Sequence, residues 1–184
     1  MAEFHQRKQI RANFHDYSGG CYFITICTLE KRHYLGEIHE GTMHLSSVGQ
    51  CCEQQLKALG THYPYAQTLS FVVMPNHIHA IIHIDEDSPP RVSDKMNQLP
   101  SDGFHRLNNR THRPCVPTKR TALSVIVGGI KREVTLFARR NNLEFDWQSR
   151  YHDHIIREMN DMNRIATYIE NNVSSWENDC FYDK

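Results

Sequence analysis

The sequence predicts an α+β domain in which helices pack on a single antiparallel sheet. Short runs rich in β-branched and aromatic residues, bounded by turn residues, alternate with stretches whose apolar residues recur at helical spacing. One sheet covered by helices accommodates this order of elements. The chain has 184 residues, enough for one domain with a core and too few for two comfortable ones. We therefore expect one domain over residues 1–184.

The first predicted strand is CYFITICT, from Cys21 to Thr28, which follows a Ser-Gly-Gly turn. Extended pieces at 34–38 and 42–45 flank the turn-forming pair Glu40-Gly41 and predict a small hairpin. Apolar residues at helical spacing then predict a helix from Ser47 to Leu59. The first part of the chain is thus a strand, a hairpin and a helix.

Two apolar, β-branched runs at 68–74 and 78–84 predict a pair of strands joined by a tight turn at Pro75-Asn76. Helical spacing resumes from Leu123 to Ala138, and the remaining elements are an extended segment at 146–157 and a last helix at about 160–176. The order contains no internal repeat.

Residues 86–121 form a polar, proline-rich and locally basic segment, for which we expect a mobile loop rather than a domain boundary. The chain has 21 lysine and arginine residues and 21 aspartate and glutamate residues, so its formal net charge is zero. A nucleic-acid site must therefore come from local clustering of positive charge. The best candidates for phosphate contacts lie on the second long helix or at its end. The alternative is that these charged residues form a solvated face and do not contact DNA. They are Lys131, Arg132, Arg139 and Arg140.

Nothing in the sequence indicates a membrane or secreted protein. The N-terminus has no apolar run of the secretory type, and no stretch approaches the length of a membrane span. The six cysteines form no C-x-x-C pair. We expect a cytoplasmic protein with reduced thiols and no membrane partner.

His77 and His79 stand one residue apart at the start of a predicted strand, so their side chains project from the same face. Two imidazoles placed in this way can share one metal ion. The alternative is two strand histidines with ordinary hydrogen bonds. His83 lies further along the same face, where an ordinary role fits better than a third ligand.

The last helix carries a polar residue at the edge of its apolar face. On a helical wheel Asn172 lies beside Ile165, and Tyr168 stands one turn before Asn172. An amide that faces a core needs a partner, and its carbonyl oxygen can ligate a metal. The alternative is that Asn172 caps the helix end and that Tyr168 is a core tyrosine with its hydroxyl at the rim.

Four segments together resemble the HUH single-strand transposases that use one catalytic tyrosine, including the REP-associated tyrosine transposases. The segments are YFITICT, FVVMPNHIHAIIHI, WQSRYHDHIIR and RIATYIENN. The resemblance covers nearly the whole chain. It implies a ferredoxin-like or RRM-like HUH endonuclease fold, a metal pair at His77 and His79, the nucleophile at Tyr168 and a third ligand at Asn172.

The resemblance also implies an activity. Such enzymes are DNA transposases that nick and rejoin hairpin-containing single-stranded DNA through a 5′-phosphotyrosine bond, with Mg²⁺ or Mn²⁺ as cofactor. The family includes dimers that exchange their tyrosine helix as well as monomers, so a homodimer and a monomer both stay open. After Asn172 this chain departs from the family pattern: relatives often have Asn-Pro followed by basic residues, whereas this chain has Asn172-Val173-Ser174-Ser175-Trp176.

Three alternatives compete with this interpretation. Tyr151, in the polar RYHDH stretch, is a second candidate nucleophile. A metal-dependent phosphoesterase would activate water instead of a tyrosine. A non-catalytic RRM-like module would bind nucleic acid by stacking bases on aromatic residues such as Tyr22 and Phe23.

Overall fold

The computed structural model describes residues 19–85 and 121–182, and all structural statements below concern these residues. The main elements, in chain order, are β1 Gly20–Cys27, β2 Gly36–His39, β3 Thr42–Leu45, α1 Ser47–Lys57, α2 Leu59–His62, β4 Ala66–Val73, β5 His77–Ile84, α3 Ala122–Arg140, β6 His152–Ile156 and α4 Met159–Asn171.

Four strands form the main sheet in the order β4-β5-β1-β6, and every neighbouring pair is antiparallel. Within the described part of the chain, the strands β2 and β3 pair only with each other, as a separate hairpin. The helix α1 links β1 to β4 and α3 links β5 to β6, which gives the ferredoxin-like arrangement with β1 and β5 at the centre. The predicted α+β fold with one antiparallel main sheet is confirmed.

One face of the sheet carries the main hydrophobic core. Because side chains alternate along a strand, Tyr22, Ile24 and Ile26 of β1 point to the same face. They are fully buried with the apolar residues of α1 and α3. Both helices begin with a capping side chain, since Ser46 accepts from the amide of Gly49 and Thr121 from the amide of Ser124.

The opposite face is covered by α4 and has a much smaller apolar cluster. Its buried members are Ile81, Ile156, Ile165 and Ile169. The intervening residues of β1 and β5, among them Thr25, His77 and His79, belong to this face and are buried too. The side of the sheet under α4 therefore combines a small core with buried polar groups.

Several predicted boundaries were wrong. The last helix ends at Asn171 rather than near 176, and the carbonyl of Asn171 accepts from the hydroxyl of Ser174 and from the amide of Ser175. Trp176 is buried at the start of a short 3₁₀ turn. The first predicted helix is divided at Ala58 into α1 and α2. The predicted loop at 86–121 lies outside the described residues apart from Thr121.

Candidate active site

The two histidines of β5 stand side by side beneath the C-terminal part of the chain. His77 pairs with Cys27 and His79 with Thr25 across β1, so the imidazoles share one face as predicted. Their ring centroids are 4.4 Å apart. The exposed fraction is 0% for His77 and 2% for His79. Two imidazole side chains are thus buried next to each other, away from solvent.

A hydrogen bond on Nδ1 fixes each ring. Nδ1 of His77 lies 2.8 Å from Oδ1 of Asn76, and Nδ1 of His79 lies 2.8 Å from Oγ1 of Thr25. Nε2 of His77 is buried and has no hydrogen-bond partner within the described part of the chain. Outer contacts that orient imidazoles in this way are typical of histidine metal ligands.

Burial keeps both histidines neutral. It lowers the pKa of His77 to about 2, with His79 and Lys31 adding electrostatic repulsion against protonation. Burial also lowers the pKa of His79 to about 4, although the Asp179 carboxylate acts in the opposite direction. Neutral imidazole is the form that ligates a metal, so both rings are in that form at pH 7.

Tyr168 lies on the exposed side of α4 and reaches this pair. Its hydroxyl is 3.2 Å from Nε2 of His79 and 3.3 Å from Oδ2 of Asp179. The side chain remains 41% exposed, so a substrate can approach it. Partial burial and the Asp179 charge raise the pKa of Tyr168 to about 12, which keeps the phenol protonated at neutral pH.

Asn172 faces inward, one turn after Tyr168, and is 1% exposed. Its Nδ2 donates to Oδ2 of Asp179 at 3.1 Å. Its Oδ1 is buried and finds no hydrogen-bond donor among residues 19–85 and 121–182. The residue takes the C-cap position with helical backbone angles, but its side chain contacts Asp179. The carbonyl oxygen is therefore available as a ligand.

Asp179 is a site residue that sequence reasoning missed. A ligand atom from each of His77, His79 and Asp179 lies within 4.8 Å of the other two. The other carboxylate oxygen, Oδ1, accepts from the amide of Phe181 at 2.8 Å, which fixes the turn that presents the carboxylate. The aspartate occurs in a polar stretch with no spacing motif, so no local signal marked it.

Phe181 closes one side of the site. Its ring centroid lies 4.4 Å from that of His77, and its carbonyl accepts from Nδ2 of Asn76 at 2.9 Å. Asn76 therefore connects the β4–β5 turn to the C-terminal segment while its Oδ1 orients His77. Nitrogen and oxygen atoms that can ligate a metal are collected in one place, and two of them are buried without a hydrogen-bond partner among the described residues, which fits a bound divalent cation.

The basic residues singled out as DNA contacts lie elsewhere, on α3, which packs against the opposite face of the sheet. Nζ of Lys131 donates to the carbonyls of Gln148 and Arg150 at 2.6 and 3.1 Å, and burial lowers its pKa. Arg132 forms an ion pair with Glu133. Arg139 and Arg140 are exposed in the last turn of α3.

Three other candidates are also separate from the histidine pair. Tyr151 packs against the main core, whereas the cluster around Ile165 lies beneath α4. His83 lies beside Cys21 and forms an ion pair with Asp85 when protonated. Tyr22 is fully buried, which rules it out as a stacking platform for bases.

Comparison with solved structures defines the class of fold. A REP-associated tyrosine transposase bound to a REP hairpin superposes with a TM-score of 0.55 at 19% identity, over 96% of this chain and 74% of that one. The chain thus has the fold of the HUH tyrosine transposases, and the predicted fold class is confirmed.

A protein of Haemophilus influenzae described as uncharacterized is 37% identical over 185 residues, which span 98% of this chain and 96% of that protein. The chain belongs to the same protein family as this Haemophilus influenzae protein. No known family profile matches the chain. Within the two described ranges, no helix has the length and apolarity needed to cross a membrane.

Proposed function

We propose that this chain is a metal-dependent transposase that nicks and rejoins single-stranded DNA, with Tyr168 as the nucleophile. One observation carries the proposal: the Tyr168 hydroxyl lies 3.2 Å from Nε2 of His79, at the edge of a buried cluster of potential metal ligands. A tyrosine placed only for packing would not need two buried histidines and an aspartate at its hydroxyl.

The ligands proposed for the cation are His77, His79 and Asn172, to which the geometry adds Asp179. Nε2 of His77 and Oδ1 of Asn172 are buried without partners among the described residues, at a cost of roughly 1–3 kcal/mol each unless something binds them. A divalent cation bound there would act as a Lewis acid toward a non-bridging phosphate oxygen. Either Mg²⁺ or Mn²⁺ would serve, and imidazole ligands suit Mn²⁺ better.

In the proposed step a bond forms between the Tyr168 oxygen and phosphorus, the phenolic proton passes to water, and the bond from phosphorus to O3′ breaks. The departing O3′ becomes a hydroxyl, and the 5′ phosphate stays on the tyrosine. Attack by a second 3′-hydroxyl reverses the step and joins two strands without a nucleotide cofactor. Asp179 would hold the phenol through Oδ2, whereas Nε2 of His79, 3.2 Å from the phenol oxygen, would ligate the cation and so place the nucleophile beside it.

The substrate we propose is single-stranded DNA that contains a hairpin. The structurally similar transposase is described as bound to a REP hairpin, which supports this choice. Arg139 and Arg140, exposed at the end of α3, are the strongest of the predicted phosphate contacts, because Lys131 and Arg132 already have partners in the protein.

A covalent adduct tests the proposal directly. The downstream fragment would carry the phosphotyrosine, so a hairpin oligonucleotide labelled at its 3′ end should transfer its label to the protein on a denaturing gel in the presence of Mn²⁺. Tyr168→Phe should bind the hairpin as wild type does and form no adduct. Tyr151→Phe, which changes the other candidate tyrosine, should keep the adduct.

Other outcomes separate the alternatives. An adduct that persists in Tyr168→Phe would overturn the assignment of the nucleophile. Cleavage that leaves no adduct in the wild-type protein would indicate a phosphoesterase that uses water. Binding with no cleavage of any hairpin would indicate a non-catalytic nucleic-acid-binding module. Full activity after chelation with EDTA would contradict the metal site.

A further inference from the structure

A cleft of about 360 Å³ opens beside Tyr168, between the sheet and α4. Its walls include two aromatic rings, Phe23 and Phe181, and the side chains of Arg164 and His154. The volume lies near the lower end of the range of about 300–1,000 Å³ typical of small-ligand sites. The cleft therefore suits a ligand about the size of one nucleotide.

Part of the aromatic wall comes from β1, a central strand of the sheet. Phe23 of β1 lies directly opposite His154 of β6, and both point to the face covered by α4. The Phe23 ring stacks on His79 with a centroid distance of 5.1 Å and meets Tyr168 edge-on at 6.3 Å. A base that enters the cleft thus meets an apolar ring that is already held in place by the site.

The cationic wall comes from α4. Arg164 stands four residues before Tyr168, so the two side chains are neighbours on the same side of the helix. Nη2 of Arg164 donates to Oδ1 of Asp161 at 2.5 Å, and Oδ2 of Asp161 lies 2.6 Å from Nε2 of His154. These contacts with His154 and Arg164 hold the pKa of the Asp161 carboxyl below its usual range.

Asp161 orients Arg164 without using all of its hydrogen-bonding capacity. The side chain is 71% exposed, and the bond to Asp161 uses one nitrogen of a group that has five N–H donors. Exposed ion pairs of this kind contribute little to stability. A guanidinium held at the mouth of a cleft beside a proposed nucleophile is suited to bind a phosphate.

We infer that this cleft binds the nucleotide adjacent to the scissile phosphate, with its base against Phe23 and its phosphate on Arg164. The inference rests on the proposed function, because it assigns part of the DNA strand to a subsite next to Tyr168. The combination of an aromatic wall, a cation and contact with the nucleophile selects a nucleotide over an apolar ligand or a simple anion.

An abasic scan tests the aromatic contact. Hairpin oligonucleotides would carry one abasic residue at successive positions on both sides of the cleaved bond, and the rate of adduct formation would be measured for each. For the wild-type protein we expect a loss of roughly tenfold at one flanking position, as is usual when a stacked base is removed. Phe23→Leu should be slower on the intact strand and insensitive to the abasic residue at that position.

The matched control is Phe71→Leu. Phe71 is a half-buried phenylalanine of β4 that packs against the main core, on the other side of the sheet. This variant should keep the wild-type response to the abasic residue even if it is less stable. A merely structural effect of losing a phenylalanine would therefore appear in both variants, whereas the loss of stacking would appear only in Phe23→Leu.

The salt dependence of binding tests the phosphate contact. Binding of a fluorescent strand, measured by anisotropy without metal, should have a log–log salt slope lower by about 0.7 in Arg164→Ala, the value for one contact to a single strand. Arg164→Lys should recover much of the slope. Arg157→Ala, which removes an exposed arginine at the end of β6, should leave the slope unchanged.

The results separate failure of this inference from failure of the proposed function. If the wild-type protein forms its adduct but no flanking abasic residue matters and Arg164→Ala keeps the wild-type slope, the inference is wrong while the proposed function stands. If the wild-type protein forms no adduct on any hairpin, the proposed function fails and this inference fails with it.

Discussion

The two faces of the sheet are built from alternate residues of the same strands, yet they differ in chemistry. The face under α1 and α3 is lined by apolar residues such as Ile24 and Ile82. The face under α4 places His77, His79 and Asn172 beside a small cluster of isoleucines. The alternation of side chains along the strands thus places a large core on one side of the sheet and a polar site on the other.

This division explains how the chain accommodates the polar atoms that are buried without hydrogen-bond partners in residues 19–85 and 121–182. Such atoms are unfavourable to bury, and the second face has little apolar surface to offset them. The first face supplies most of the buried apolar area, which is the main stabilising term. We therefore expect substitutions on the first face to reduce stability most, and those on the second face to alter binding and chemistry more than stability.

The largest effect on stability should come from the first face. Ile82→Ala and Ile169→Ala remove the same side chain from sites that are 0% and 2% exposed, one in each core. Truncation of a buried isoleucine costs about 2–5 kcal/mol, depending on how far the site relaxes. We expect Ile82→Ala near the upper end and Ile169→Ala near the lower end, as measured by urea unfolding.

The two variants should rank in the opposite order when their loss of activity is compared. Ile169 follows Tyr168 on α4, so its truncation loosens the helix that carries the proposed nucleophile. Under conditions in which both variants are folded, adduct formation should fall more in Ile169→Ala than in Ile82→Ala. If the two variants lose the same stability and the same activity, the two faces do not differ in their contributions to stability and to activity.

The second prediction concerns the metal. If Mn²⁺ binds the folded chain only, a concentration of 100 times the dissociation constant should stabilise the wild-type protein by about 2.7 kcal/mol. His77→Ala should lose this stabilisation and reduce adduct formation by roughly 100-fold or more, as expected when one electrostatic element of a reaction centre is removed. Thermal melts with and without Mn²⁺ provide a readout that does not depend on activity.

Tyr168→Phe is the control for this experiment, because it should abolish the adduct while it retains stabilisation by Mn²⁺. If His77→Ala is stabilised by Mn²⁺ as strongly as the wild-type protein, His77 is not a ligand. This pair of variants separates metal binding from nucleophilic attack within the same face of the sheet.

Much of this face could be predicted from the sequence because its geometry is local. A spacing of two in a strand places His77 and His79 together, and a spacing of four in a helix places Tyr168 beside Asn172. Asp179 could not be predicted in this way. It reaches the site because α4 ends at Asn171 and the chain turns back, and the end of a helix is poorly marked in the sequence.

The side of the sheet on which the basic residues of α3 lie could not be predicted from the sequence either. Periodicity predicts that a helix has an apolar side, but it does not say which face of a sheet that side covers. Lys131 illustrates the limit, because a lysine in a basic stretch proved to donate to the carbonyls of Gln148 and Arg150. Its predicted contact with DNA stays a prediction, now with a competing role in the protein.

The third prediction uses two neighbouring glycines of α3. A Cβ at Gly129 would overlap the hydroxyl of Tyr63, whereas a Cβ at Gly128 would meet no atom of the described residues within 4 Å. Gly129→Ala should therefore destabilise the protein by about 1–3 kcal/mol, less the gain in helix propensity of about 1 kcal/mol, because the partly exposed Tyr63 ring must move. Gly128→Ala should stabilise it by up to about 1 kcal/mol through helix propensity. Chemical unfolding of the two variants measures the change in the free energy of unfolding for each.

A second substitution tests the cause. Tyr63→Phe in the Gly129→Ala background should recover part of the lost stability, because it removes the atom that the new Cβ would overlap. Neither glycine variant should change adduct formation per folded molecule, since α3 packs on the face away from Tyr168. A change in activity at full folding would show that the two faces are coupled.

The smallest effect should come from the end of α3. Arg139→Ala combined with Arg140→Ala should lower the salt slope of hairpin binding by about 0.9 for each duplex phosphate contact that is lost. At saturating DNA the yield of adduct should remain unchanged, because both arginines belong to the helix on the opposite face. Lys57→Ala, which removes an exposed charge paired with Glu53 on α1, is the matched control and should leave the slope as it is. An unchanged slope in the double variant would mean that these arginines form a solvated face, and the hairpin would then be held by the face that carries Tyr168.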